Sequence, residues 1–269
     1  MDPVTTLGAT CVPQVPPERL REVARMAEDG GLDELWLWED CFWGGGISAA
    51  SAVLAWTSRL RVGIGVLPVP LRNVALTAME TAMLHRLFPG RVMAGVGHGV
   101  QDWMRQVGAS AESPLTLLRE HLTTLRALLR GERVTAGGRY VHLDDVALGW
   151  PPRNAPAVLA AARGPRTLQL SGEVADGTIL DSSPTLEQFR AARAQIDAGR
   201  AAAGRSDPHR LVLYLEATAG DPGAAAEAVR SWAAAGADAV VLHPTRDEED
   251  LAGFVRFVAA QVRPLVERG

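Results

Sequence analysis

Three groups of residues in this 269-residue chain have types and spacing suited to chemistry. The first is glycine-rich. Gly63 and Gly65 interrupt an apolar run, and Gly95-Val96-Gly97-His98-Gly99 closes a later one. Lacking Cβ, such positions let backbone approach something flat or anionic, although a tight turn needs no more than this. His98 stands among them with a ring that titrates near neutrality, a candidate acid-base group or a structural histidine. The second group is the carboxylate pair Glu39-Asp40, followed by Cys41-Phe42-Trp43 and Gly44 to Gly46. These carboxylates suit proton transfer and equally suit a solvated loop. The third is Arg163-Gly164-Pro165-Arg166-Thr167. Two arginines and a threonine at a helix start offer charge-assisted donors and the positive end of a dipole to a phosphate. The same letters also describe a capped helix with exposed arginines.

The elements that must position these groups alternate along the chain. Val4 to Cys11 reads as a strand, and Pro17 opens a helix with Leu20, Val23, Ala24 and Ala27 on one face. Leu35 to Trp38 and Leu60 to Leu67 are the second and third strands. Asn73 caps a helix whose apolar residues Leu76, Met79, Met83 and Leu87 are expected in the core. The fourth strand ends at Gly95 to Gly99, a short helix covers Gln101 to Val107, and Ser113-Pro114 starts a longer helix. That helix carries Leu118, Leu122, Leu125 and Leu129 as a stripe and places His121 near the surface. Arg133 to Leu143 forms a hairpin around Gly137-Gly138. Four further strands, Pro156–Ala161, Thr178–Leu180, Leu211–Ala217 and Ala237–His243, each lead into a helix, the last with Leu251, Phe254, Val258 and Val262 inward. Eight βα units predict a closed (β/α)₈ TIM barrel in one domain spanning 1–269, with the hairpin inserted after the fourth unit. Ligands then bind at the carboxyl ends of the strands, which brings Glu39, Gly65, Gly97 to Gly99, Arg163 to Thr167 and Asp181 to one rim, with His243 near it.

Composition removes several classes of function. A net charge of −4 gives no basic footprint for nucleic acid or an anionic membrane. All 27 basic residues are arginine, so no Schiff-base or phosphate-loop lysine is available. Cys11 and Cys41 are too few for a disulfide framework or a zinc cluster, and no metal site is expected. The N-terminus lacks a signal-peptide pattern and no apolar run spans a bilayer, which points to the cytoplasm. The abundance of Ala, Arg and Gly suggests a GC-rich genome, compatible with an actinobacterial source.

The run from Arg59 to Asn73, Arg-Leu-Arg-Val-Gly-Ile-Gly-Val-Leu-Pro-Val-Pro-Leu-Arg-Asn, followed by Pro89-Gly90-Arg91-Val92-Met93-Ala94-Gly95-Val96-Gly97-His98-Gly99, resembles the bacterial luciferase-like monooxygenase family. So does the stretch from Val158 to Gly177. The resemblance implies a barrel enzyme that uses the deazaflavin F420 or FMN. It implies a cis peptide at Gly65-Val66 backing the cofactor ring, Gly97-His98-Gly99 bordering it, and Arg163, Gly164, Pro165, Arg166 and Thr167 holding its phosphate. Glu39 falls where the family places an acid and Asp40 where it places a histidine, so a histidine role there does not carry over.

The function expected is hydride transfer between F420 and a small organic substrate, with His98, Asp40 and Glu39 as catalytic candidates and a homodimer as the assembly. An FMN monooxygenase on the same fold is the first rival, separable by oxygen consumption. A cofactor-binding barrel without turnover is the second. A sugar-phosphate barrel would use the Arg163 to Thr167 loop alone and leave Gly65-Val66 without purpose.

Overall fold

The structure is a computed structural model that describes residues 5–180 and 184–267. Its framework is an alternation of strands and helices. These are β1 (Thr6–Cys11), α1 (Leu20–Asp29), β2 (Glu34–Leu37), α2 (Gly46–Trp56), β3 (Arg61–Pro68), α3 (Val74–Leu87) and β4 (Val92–Gly97). There follow α4 (Gln101–Gln106), α5 (Pro114–Leu129), β5 (Val134–Gly137), β6 (His142–Val146), β7 (Val158–Ala162), α6 (Pro165–Val174) and β8 (Gly177–Leu180). Then come α7 (Leu186–Ala202), β9 (Arg210–Ala217), α8 (Pro222–Ala234), β10 (Ala239–Pro244) and α9 (Leu251–Phe257), which continues through a π-helical turn (Val258–Val262) into the short α10 (Arg263–Val266).

Eight strands close into a parallel barrel in the order β1-β2-β3-β4-β7-β8-β9-β10, and β10 pairs back onto β1. The antiparallel pair β5-β6 is the expected insertion and lies outside the barrel. Alternation along each strand sorts the side chains. In β9, Val212 and Tyr214 point inward to join Trp36, Met93, Leu159, Ile179, Ala239 and Val241, while Leu211, Leu213 and Leu215 pack outward in the larger core under the helices.

Polar groups plug the barrel at the amino ends of its strands. Buried Glu34 accepts from Thr6 Oγ1 at 2.8 Å and Trp36 Nε1 at 2.9 Å, and pairs with Arg61 and Arg210. A buried carboxylate needs this many partners to offset its lost hydration. With that end plugged, access lies at the opposite rim.

Two helical expectations are corrected. On α3 the buried residues are Val74, Thr77, Ala78, Thr81, Ala82 and Leu84, whereas Leu76, Met79, Met83 and Leu87 are exposed, Met79 by 61%. The small residues face the strands because they allow close packing, leaving the large ones outward. His121 lies on the buried face of α5 with only 1% exposure, not near the surface. Asn73 caps α3 as expected, its side-chain oxygen accepting from Ala75 N–H at 2.9 Å.

Candidate functional site

At the carboxyl rim a cavity of about 350 Å³ is lined by Glu39, Asp40, Gly65, Val66, Gly97, His98, Gly99 and Arg163, all singled out from the sequence. This volume suits a small ligand or the ring system of a larger one. Its remaining walls include Trp38, Pro68, Trp103, Ile179 and Tyr214. Asp181, expected at the same rim, lies outside the described residues.

The floor is a bulge in β3. Pairing with β4 slips between Ile64 and Leu67, and the Gly65-Val66 peptide is cis, as is Cys41-Phe42. Gly65 and Val66 are the partly exposed residues of an otherwise largely buried strand centre, so the bulge presents them to the cavity. A Cβ at Gly65 would run into the Tyr214 hydroxyl, which itself lies 3.5 Å from the Gly65 carbonyl. Gly97 sits across from the bulge, where an added Cβ would come within 2.9 Å of Val66 Cγ2. Gly99 has φ +67°, a conformation that favours glycine.

The two carboxylates have different surroundings. Glu39 is held: its Oε2 accepts from Gly46 N–H at 2.6 Å, and Arg72 Nε and Nη2 donate to its two oxygens at 3.0 and 2.9 Å. Arg72 also pairs with Glu80 on α3. This bidentate pair ties the loop after β2 to the turn after β3 and to the start of α2. Asp40 lines the cavity, and burial raises its carboxyl pKa above the ordinary value, favouring the protonated form. His98 moves the other way. Burial lowers its pKa, opposed by the nearby Pro114 carbonyl, which favours a neutral ring at pH 7.

The third group divides. Arg163 lines the rim cavity and also a neighbouring one of about 600 Å³, which includes Pro165, Gln188 and Gln195. Gly164 precedes α6 and Arg166 is exposed at its first turn. Thr167 reaches back to β4, where its Oγ1 lies 3.3 Å from His98 Nε2. Thr167 and Leu168 N–H both donate to the Gly164 carbonyl, at 3.0 and 2.9 Å. The Thr167 N–H, one of the early donors of this helix, is thereby taken by the helix's own first turn.

Sequence reasoning missed Tyr214 and Trp38, and left Trp103 open between core, interface and pocket, of which the structure shows the pocket. Tyr214 occupies an inward position of β9 and meets the rings of Trp36 and Trp38 at 5.8 and 5.9 Å. Strand alternation contains that signal, because residues 212, 214 and 216 share one face. His243 packs 5.6 Å from Trp38, behind the cavity wall, and Trp232 lies in the core against Phe189. Among the described residues no group of His, Cys, Asp or Glu is arranged to hold a metal ion, and no helix is long and apolar enough to cross a membrane.

A sequence profile described as luciferase-like monooxygenase matches residues 4–264. A 5,10-methylenetetrahydromethanopterin reductase of Methanolobus tindarius is 31% identical over 244 residues, covering 88% of this chain and 74% of that protein. An F420-dependent glucose-6-phosphate dehydrogenase of Kineococcus radiotolerans is 30% identical over 240 residues, covering 82% and 70%. In fold, the chain is similar to a coenzyme F420 dependent tetrahydromethanopterin reductase of Methanopyrus kandleri, with TM-score 0.83, 18% identity, and 97% and 99% of the two chains covered.

Proposed function

The chain belongs to the luciferase-like monooxygenase family, and from that membership together with its rim cavity we propose an F420-dependent oxidoreductase that moves hydride between the deazaflavin and a small organic substrate. The observation that carries this reading is the convergence of the Gly65-Val66 bulge, Gly97, Gly99 and Arg163 on one cavity. A relative named for F420 dependence supports the choice of cofactor.

The residues present fit such a group. Gly65, Val66, Gly97 and Gly99 form an apolar wall free of large side chains, where the ring would lie. Arg163, Arg166 and Thr167, with Gly164 and Pro165 shaping the turn, would hold the phosphate through guanidinium and hydroxyl donors. When bound, the deazaflavin supplies hydride chemistry that no side chain can provide. Asp40, which faces the cavity with its carboxyl pKa raised by burial, is the group placed to carry the proton. Glu39, paired with Arg72 and Gly46, acts as the strut that holds the Asp40 loop at the rim. Trp38, Trp103 and Tyr214 exclude water from the ring face and shape the space left for the substrate.

The chain acts as one barrel domain and pairs with a second copy through the outer face of α3. Leu76, Met79, Met83 and Leu87 on that face, with exposed Trp150 beside them, support this assembly.

Titration of the purified protein with F420 and with FMN, followed by cofactor fluorescence, tests the function. Saturable F420 binding that Gly65→Val and Arg166→Ala both weaken is expected. Binding of FMN alone would move the chemistry to oxygen-dependent flavin work, and binding of neither would overturn the reading.

A further inference from the structure

A second cavity, of about 720 Å³, lies at the amino ends of the strands, outside the Glu34 plug. Arg61, Val92 and Arg210, the first residues of β3, β4 and β9, border it together with Pro152 to Ala157, which lead into β7. Arg61 and Pro68 are the two ends of β3, and Pro68 lines the rim cavity. At about 3.3 Å per residue the two cavities lie roughly 20 Å apart.

The polar side chains of this cavity are Arg61, His85, Arg86, Arg153, Asn154 and Arg210, with no carboxylate among the lining residues. Burial pushes the His85 pKa down to about 4, so its ring is neutral at pH 7. Glu34, buried behind the lining, is shared by Arg61 and Arg210 and neutralises one charge of the two. Arg86 donates to the Pro151 carbonyl at 3.1 Å and lies over the Trp150 ring at 5.0 Å, contacts that hold the guanidinium without cancelling its charge. Arg153 is exposed and has no carboxylate partner among the described residues. Asp33, Asp176 and Asp238, also at this end, accept from the N–H groups of Leu7, Val158 and Leu211 and do not line the cavity. Four guanidiniums therefore share one carboxylate in a concave site, on a chain whose net charge is −4. Gathered in this way they repel one another, and the concave wall focuses their field on whatever enters.

We propose that this cavity binds a small phosphorylated metabolite carrying at least two anionic groups. Arg61 and Arg210, drawn together by Glu34, form one anchor at the strand ends. Arg86, on α3, and Arg153, before β7, form the other. Each guanidinium has five N–H groups in a fork that matches phosphate oxygens, so the contacts already made leave donors for a ligand. A phosphate group brings up to two charges and three acceptor oxygens, more than a carboxylate offers to so many guanidiniums. The volume exceeds what one phosphate fills and leaves room for an organic part. This site is independent of the F420 reading, whose phosphate contacts lie at the opposite end of the barrel.

The test is isothermal titration calorimetry with inorganic pyrophosphate and inorganic phosphate as probes, on wild type, Arg153→Ala, Arg86→Ala and Arg166→Ala. Wild type is expected to bind one pyrophosphate per chain, with inorganic phosphate weaker by about tenfold or more because it engages one anchor only. Arg153→Ala and Arg86→Ala should each weaken pyrophosphate by about tenfold, the loss typical of a hydrogen bond to a charged group. Arg166→Ala, at the rim, should leave it unchanged. Arg86 also borders the α3 face proposed to join two copies, whereas Arg153 does not line the cavity there, which makes Arg153 the cleaner probe. Arg153→Lys, which keeps the charge without the fork, should bind between Arg153→Ala and wild type. Thermal melts that match wild type show that each variant is folded. Absence of saturable pyrophosphate binding, phosphate binding as tight as that of pyrophosphate, or unchanged affinity in Arg153→Ala would overturn the proposal. Loss of binding in Arg166→Ala would also overturn it, because the anion would then sit at the rim. None of these results bears on F420 binding, which is titrated separately.

Discussion

At the scale of single residues, the chain separates charges that work from charges that are avoided. Glu39 has its carboxylate filled by Arg72 and Gly46, Asp40 faces the cavity, and His98 turns to Thr167. Three other histidines are held neutral. Burial pushes the pKa of His85, His121 and His209 down to about 4 from an ordinary 6.5, the last two also under the influence of neighbouring arginines. Between those values the unfolded chain binds protons that the folded chain refuses. Their contribution to stability is therefore complete above the ordinary pKa and is lost as pH falls towards about 4. Asp207, held down at about 2 by Arg205, titrates below this window and does not obscure it. Thermal melts from about pH 7.5 to about pH 4.5 should show a falling Tm, less steep in His121→Leu, which removes one of the three groups. A wild-type Tm independent of pH across that range would contradict this.

At the scale of elements, the helix carrying the Thr167 contact is anchored by backbone contact with its successor. A Cβ on Gly172 of α6 would strike the Ile196 carbonyl of α7 and come within 3.1 Å of Arg200 N, and one on Gly199 would meet the Gln169 backbone. Helix propensity favours alanine over glycine by about 1 kcal/mol, but forcing two backbones apart typically costs about 1–3 kcal/mol and also shifts α6. Packing is expected to win. Gly172→Ala and Gly199→Ala should each lower Tm, whereas Gly149→Ala, with nothing within 4 Å of the new atom, should leave it nearly unchanged. Equal Tm values for all three would refute close helix contact. Glycine in Ser171-Gly172-Glu173 is visible in the sequence as a poor helix former, yet its purpose depends on Ile196, which only the fold brings to it.

At the scale of the whole molecule, the barrel is plugged at one end by Glu34, Arg61 and Arg210 and open at the other, so the site and the proposed assembly occupy separate surfaces. The outer face of α3 exposes two methionines and two leucines, next to a cavity of about 520 Å³ against Leu148 and Trp150. If this face joins two copies, sedimentation velocity will show a dimer for wild type and a monomer for the Met79→Glu, Met83→Glu double variant. A monomeric wild type, or a double variant that stays dimeric, would place the assembly elsewhere or remove it.

The eight-strand count, the order of elements apart from α2 and the cavity residues from Glu39 to Arg163 were legible in the sequence, because strand and helix periodicities are local and the glycines that let backbone come close to a neighbour stand out in apolar runs. Local patterns could not decide which side of a helix meets the barrel. Met79 and Met83 carry the hydrophobicity of core residues, yet the close approach of α3 to the strands selects Ala78 and Ala82 instead. Nor could sequence alone bring Glu39 to Arg72, Gly65 to Tyr214 or His98 to Thr167, since each contact joins segments far apart in the chain. Barrel closure and strand register decided those, and with them which of the candidate residues brace the rim and which line the cavity.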